Sequence, residues 1–290
     1  MRCLAIGMVM LVAQGCSTRD AESRQADVPP ASAAVAFDGA DYQDQPAKTA
    51  HGKRLATLFT CDGCHGADYA GRDFSADFPI VKGLWASNIS RAIPTMSDAV
   101  LERLLREGVH PTREIYVMPS KQTQFLSQPD MAALIAFLRT IPPVGTATPL
   151  PPEGFEAAVT ARLPDDYWRT QQEGEKRGYH NAAEEVAYFA AHQPPDLGQP
   201  LARGRMIAAS LCSTCHGAAL DGLGEPAGSI QGALAYDDAA FERLLTESID
   251  RMGKRVAVEW GFGHEAQPLT AAERRDVIAY VRALARQREG

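Results

Sequence analysis

The sequence predicts an all-α protein in which one helical unit occurs twice in tandem. Three observations predict it. The pentapeptide Cys-Asp-Gly-Cys-His at 61–65 returns about 150 residues later as Cys-Ser-Thr-Cys-His at 212–216. The flanks repeat in the same order: DAVLERLL (98–105) parallels DAAFERLL (238–245), and LSQPDMAALIAFLRTI (126–141) parallels LTAAERRDVIAYVRAL (269–284). Apolar residues recur at helical spacing in these stretches, and none alternates long enough to argue for a sheet.

The elements follow in order. Residues 1–16 read as a signal peptide: Arg2, then an apolar run from Cys3 to Ala13. That run is shorter than the about 20 residues a membrane-spanning helix needs, and it fits the apolar region of a secretory signal. Its end, AQGC, resembles a bacterial lipoprotein signal, with Cys16 the lipidated residue, although Ala13 stands where leucine is usual. The alternative is an ordinary signal peptide with Cys16 incidental. Residues 17–50, rich in Ala, Asp, Ser and Pro, read as a disordered tether. As a flexible coil it reaches roughly 30 Å.

The first unit spans 51–142. Leu55, Leu58 and Phe59 lie at helical spacing before the Cys pair. A middle helix opens at Ser97 and closes at Gly108. A last helix opens near Ser127, shows Met131, Leu134, Ile135 and Leu138 on one face, and stops before Pro142. Residues 143–199 read as a linker with one helix, in YHNAAEEVAYFAAH, between PPVGTATPLPPEG and HQPPDLGQP. The second unit spans 200–290. Met206, Ile207 and Leu211 precede its Cys pair, and Thr270, Val277, Ile278 and Val281 mark its last helix.

Composition narrows the function. The net charge of −7 argues against nucleic acid as a partner, which calls for a Lys/Arg excess. Of six cysteines, four lie in the repeated motif and two, Cys3 and Cys16, in the first sixteen residues. None is left for a structural disulfide in the body of the protein.

Cys-x-x-Cys-His is the attachment signature of c-type haem. Cys61 and Cys64, and again Cys212 and Cys215, can as a pair reach the two vinyl groups on one edge of a porphyrin from a single helical turn. His65 and His216 follow directly and can turn to the iron. Two other chemistries use Cys-x-x-Cys. Zinc ribbons place their pairs about 15–20 residues apart, whereas 147 residues separate Cys64 from Cys212. A thioredoxin-like pair calls for a βαβ context, and this chain offers helices. The expected cofactors are therefore two covalently bound haem c groups.

On these motifs each unit resembles a class I cytochrome c domain: an N-terminal helix running into Cys-x-x-Cys-His-Gly, a middle helix, a ligand loop and a C-terminal helix. The resemblance implies a small helical fold around a covalent haem, with crossing N- and C-terminal helices. It also implies that the loop supplies the second axial ligand, usually a Met. In the first unit that is Met118, followed by Pro119; Met96 and Met131 are poorer candidates, and His110 reads as a surface residue. A thioether ligand raises the potential.

The second unit departs from the pattern. Val258 aligns with Met118, and no Met-Pro follows. His264 or Met252 could ligate instead. Met252 lies 36 residues after His216, and His264 lies 48 after it, against 53 from His65 to Met118. Gly261 and Gly263 would let the backbone approach the ring. With bis-His ligation, the second haem would have the lower potential.

The chain also resembles dihaem cytochromes that take electrons from periplasmic dehydrogenases. That implies single-electron transfer between a protein donor and a protein acceptor, in the periplasm, with membrane attachment through a lipidated N-terminus. Enzymatic activity is left open, a carrier being weighed above a catalyst. The alternative is a dihaem peroxidase or sulfur-compound oxidoreductase with a labile second haem, for which Glu259, His264 and Glu265 are the acid–base candidates. A gas sensor has no attached signalling domain to support it. Trp85, Trp168 and Trp260 read as packing aromatics, Pro79 as a shaper of the proximal loop. Arg72, Arg103 and Arg243 read as surface charges or partners for haem propionates.

Overall fold

A computed structural model describes residues 35–76, 81–160, 181–222, 228–256 and 263–290. Cys16, Pro79, Trp168, Val258, Glu259, Trp260 and Gly261 lie outside these residues. What is described is mostly helical, with two paired two-residue strands, β1 (Arg72–Asp73) and β2 (Trp85–Ala86). Among the described residues no helix is long and apolar enough to cross a membrane.

The first helix, α1 (Gln45–Leu58), starts where Asp44 accepts a hydrogen bond from the Ala47 amide and Pro46 occupies the first turn. It ends at Thr60, whose φ of 50° breaks the helix before α2 (Cys61–His65). α3 (Ile89–Ala92) leads to α4 (Asp98–Glu107), capped by Ser97 and stopped by Gly108 at φ 67°. α5 (Ser120–Thr123) follows the loop, and α6 (Gln128–Leu138) is capped by Ser127.

α1 packs across α6. At the crossing, a Cβ on Gly52 would lie 1.9 Å from the Ala133 carbonyl oxygen. Only a residue without a side chain allows the two backbones this close. Gly52→Ala must push the helices apart, and overpacking of this kind costs about 1–3 kcal/mol. A urea midpoint shifted down with an unchanged slope would register it.

The segment 143–199 is more than a linker with one helix. It holds α7 (Phe155–Thr160) and α8 (Ala182–Ala191) among its described residues, and it is laced onto the first unit. The Asn88 side chain donates to the Val144 and Thr146 carbonyls, each at 2.8 Å. Phe155 is buried with Phe74, Val81 and Leu84. The Ala182 amide donates to the Ile115 carbonyl at 2.7 Å. Its proline-rich composition suggests a connection; the apolar Phe155 and the Val144 and Thr146 carbonyls, which accept from Asn88, explain why it packs instead.

In the second unit α9 (Ala202–Ile207) continues through a π-turn, Ala208–Cys212, into α10 (Ser213–His216). α11 (Asp238–Glu247) and α12 (Ala271–Glu289) complete it. α9 packs on α12, where a Cβ on Gly204 would sit 2.1 Å from the Asp276 carbonyl oxygen. Nine positions lead from Gly52 to Cys61 and eight from Gly204 to Cys212. The left-handed Thr60 lies in the first of these stretches and the π-turn in the second.

The tether boundary at residue 50 also needs correction, because residues 35–50 are folded. Phe37 is 2% exposed and meets Phe59 edge-on at 5.9 Å. Its amide donates to Asp130 at the start of α6 (3.2 Å), and the next amide, Asp38, donates to Glu273 at the start of α12 (2.9 Å). The Asp38 carboxylate pairs with Arg203 at 2.5 Å and accepts from Thr270. A mildly polar segment is thus held between both C-terminal helices, which composition alone did not reveal.

Burial alone would raise the Asp38 pKa, but the Thr270 hydroxyl and the Arg203 guanidinium outweigh it and hold it below its ordinary 3.8. The folded value is depressed, so this contribution is complete above pH 3.8 and is lost as pH falls through the folded value. Urea midpoints measured down through that acidic range should decline less steeply in Asp38→Asn than in the parent chain.

Candidate haem sites

The two Cys-x-x-Cys-His turns are followed by the same backbone course. Gly66 and Gly217 take φ of 81° and 83°, a region open to glycine. The next turn closes with Gly71 N–H to the His65 carbonyl and Gly222 N–H to the His216 carbonyl, both 2.8 Å. The left-handed residues inside it are Tyr69 (φ 60°) and Leu220 (φ 64°). His65 Nδ1 meets the Ser87 carbonyl at 2.7 Å, and His216 Nδ1 meets the Gly228 carbonyl at 2.8 Å. A carbonyl accepts only from a protonated nitrogen, so Nδ1 carries the hydrogen and Nε2 presents a lone pair. Burial lowers the pKa of both rings, with the carbonyl contact opposing it. Each is neutral at pH 7, the form a metal needs.

The first unit encloses a cleft with an empty volume of about 1280 Å³, partly open to solvent. His65, Cys61 and Cys64 line it together with Met118. Phe59, Phe74, Leu101 and Leu138 supply apolar walls, and Pro151 from the segment after α6 completes the rim. Among the described lining residues Arg113 is the one cation besides the histidine; it donates to the Ser87 hydroxyl at 3.0 Å. A deep apolar cleft with few polar groups is the shape of a cofactor site.

Met118 is presented by a constrained turn. Its amide bonds back two residues to the Tyr116 carbonyl at 2.8 Å, and its carbonyl accepts from Ser120 N–H at 2.9 Å. Between these sit Val117 at φ 63° and Pro119 at φ −83°, ψ 53°. The proline suits the second turn, whereas a β-branched residue at positive φ is a true outlier. Strain of this kind persists where surrounding structure over-determines the backbone. Ser120, donating to the Leu104 carbonyl at 2.9 Å, and Thr123, donating to the Leu105 carbonyl at 2.5 Å, supply that hold by tying α5 to α4.

In the second unit the two ligand candidates lie in different surroundings. Met252 sits at the tip of a turn and is 76% exposed. His264 faces His216, with ring centroids 6.2 Å apart and planes 23° from parallel. Its Nδ1 is buried and has no hydrogen-bond partner. Burial, then the neighbouring His216, push its pKa down to about 4, with Glu265 opposing. Gly263 has a packing role: a Cβ there would lie 2.3 Å from the Ser248 hydroxyl and 2.1 Å from Glu265. Glu265 itself is engaged by Ser248 and Arg255.

These residues fit a haem. The 6.2 Å between the two ring centres leaves room for a metal ion between them. A buried nitrogen without a partner is the kind of group a bound metal satisfies. The thiols argue against a dithiol redox centre. Burial pushes Cys61 and Cys212 up to about 12, whereas a reactive Cys-x-x-Cys thiol has a depressed pKa. Among the described residues no three His, Cys, Asp or Glu side chains converge as a metal site.

Met131 is fully buried in the core, and Met96 lines the first cleft beside Met118. His110 is bonded locally to Thr112. Trp85 lines the cleft. Arg72 and Arg243 are exposed, and Arg103 pairs with Glu107 at the surface. Arg113 was the cation to find. Its place between the middle helix and Met118 was visible in the sequence, but a single arginine in a loop carries no pattern that marks it as buried.

Residues 201–285 match the family model for cytochrome c. That stretch is similar to a class I cytochrome c domain, whose work is electron transfer through covalently bound haem c. No curated protein and no solved structure matches the chain.

Proposed function

We propose that the protein is a dihaem c-type cytochrome that passes single electrons between protein partners, its two units being copies of one cytochrome domain. The observation that carries this reading is the pair of histidines, His65 and His216. Each follows a Cys-x-x-Cys and is fixed through Nδ1 by a backbone carbonyl.

Cys61, Cys64 and His65, with Met118 opposite, hold the first haem in this reading. Cys212, Cys215 and His216, with His264 opposite, hold the second. The haems supply the one-electron chemistry; the chain's part is ligation, exclusion of water and orientation. The apolar cleft keeps the first ring dry, and Arg113 offers a cation to its acidic substituents. A Met ligand at the first site and a His at the second would place the first potential above the second, which would favour electron flow from the C-terminal site to the N-terminal one. The reading also takes 1–16 as an export signal, Cys16 as a lipid attachment point and the periplasm as the location. The reading includes a free shuttle on a lipid anchor or the cytochrome subunit of a dehydrogenase. The burial of His264 beside His216 weighs against an open catalytic position.

A redox titration followed by visible and near-infrared spectra tests the proposal. It should resolve two one-electron steps, with a Met–iron charge-transfer band belonging to the higher one. A single step, or a high-spin ferric component, counts against it.

A further inference from the structure

We propose that Asn88 is a positioning residue for His65, through which the segment after α6 holds the proximal side of the first site. The inference rests on the two-haem reading above. It starts from Ser87, which follows β2 directly and whose carbonyl takes the Nδ1 hydrogen of His65 at 2.7 Å. That carbonyl is held from both sides. Before it, β2 pairs with β1, Trp85 opposite Asp73 and Ala86 opposite Arg72. After it stands Asn88, 3% exposed.

Both polar atoms of the Asn88 side chain are engaged. Its nitrogen donates to the Val144 and Thr146 carbonyls, each at 2.8 Å, and its oxygen accepts from the Ser90 hydroxyl at 2.6 Å. Ser90 is fully buried and accepts in turn from the Val144 amide at 3.1 Å. The backbone amide of Asn88 donates to the Thr148 hydroxyl at 3.2 Å. The same network touches the attachment motif. Gly71, whose amide closes the turn on the His65 carbonyl, has no room for a side chain: a Cβ there would lie 2.8 Å from the Asn88 nitrogen and 2.7 Å from the Thr148 methyl. A buried polar network satisfied in this way is rigid. The second site is built differently. His216 meets the carbonyl of Gly228, and that contact is exposed where the His65 one is partly buried. The residue after Gly228 is Ser229, whose hydroxyl accepts from the nearby Gln231 amide at 3.3 Å and so serves its own turn.

The consequence lies in the ligand. An imidazole whose Nδ1–H is held by an acceptor is the more basic ligand, with its ring orientation fixed. A more basic ligand favours oxidised iron. Asn88 keeps the Ser87 carbonyl on His65, so it restrains the rise in potential that a Met ligand gives the first haem. Residues 144–148, outside the first helical unit, are in this way part of the first site.

Two measurements on the full, haem-loaded chain, with the haems counted first, test this: spectroelectrochemical titration, and exchange of the histidine Nδ1 protons read by nuclear magnetic resonance of the reduced protein. Asn88→Ser should shift the first haem's ratio of reduced to oxidised form at a fixed potential about threefold upward, a rise of about 28 mV at about 59 mV per tenfold for a one-electron couple. It should also speed exchange at His65 while His216 keeps its parent rate. Thr148→Val leaves the Asn88 side chain in place and should move both readouts the same way by less, so it decides the matter if Asn88→Ser fails to fold. A merely structural role would lower the urea midpoint and leave both potentials at their parent values, and that result overturns the proposal. So does an equal movement of both haem midpoints. A count of one haem in the parent chain instead overturns the two-haem reading beneath it.

Discussion

Replacing His264 with alanine is expected to turn the second haem from low-spin to high-spin in the ferric state, while Met252→Ala leaves the spectrum unchanged. The two residues compete for one role on sequence grounds, and their surroundings separate them. Met252 is 76% exposed at a turn tip, and burying a thioether there would require the turn to fold inward. His264 already faces His216 at 6.2 Å and is neutral, its pKa pushed down to about 4. Losing it leaves one axial position to water or to nothing. The lost ligand should also raise reactivity toward small ligands such as cyanide or carbon monoxide at one haem of the two. Electron paramagnetic resonance of the oxidised protein reads the change directly. If Met252→Ala, and not His264→Ala, gave the high-spin signal, the assignment would be reversed.

The second large effect falls on stability. Glu273→Ala should cost about 1–3 kcal/mol for each amide left without its acceptor. The Glu273 carboxylate has no exposed surface, pairs with Arg54, and accepts the amides of Asp38 at 2.9 Å and Thr270 at 2.8 Å. With Thr270 it closes the capping box of α12, and it anchors the segment before α1, so its loss leaves a partly exposed Arg54 and two amides without their acceptor. Both units should loosen together, because Arg54 lies on α1 and Glu273 on α12. Denaturant unfolding followed by helix circular dichroism and by haem absorbance should show both probes shifted to the same lower midpoint. An unchanged midpoint, or a shift in one probe alone, would mean the two units are not coupled through this contact.

Much of this was legible in the sequence because the informative residues come in patterns. Ser97, Ser127 and Thr270 cap the helices they were expected to open. Leu134 and Val277 face inward as their spacing implied. Cys61, Cys64 and His65 meet Met118 in one cleft. What the sequence hid was set by single contacts between distant residues. Phe37 and Asp38 sit in a stretch whose composition reads as tether, and only their amides, aimed at Asp130 and Glu273, reveal a clamp. Phe155 is one aromatic in a proline-rich run, yet it is buried beside Tyr116, with ring centres 5.0 Å apart and planes tilted by 58°. The choice between His264 and Met252 could not be made from spacing, since both loop lengths are sterically open. Burial separates them, and burial depends on how the whole unit packs.

The account's central claim is that this chain carries two covalent haems, one per Cys-x-x-Cys-His. Intact-mass spectrometry of the purified full chain tests it most directly. The account predicts a mass raised by two haem groups, falling to one in Cys61→Ala/Cys64→Ala and equally to one in Cys212→Ala/Cys215→Ala. A parent chain carrying a single haem, or a double variant at either motif that keeps both, would contradict it.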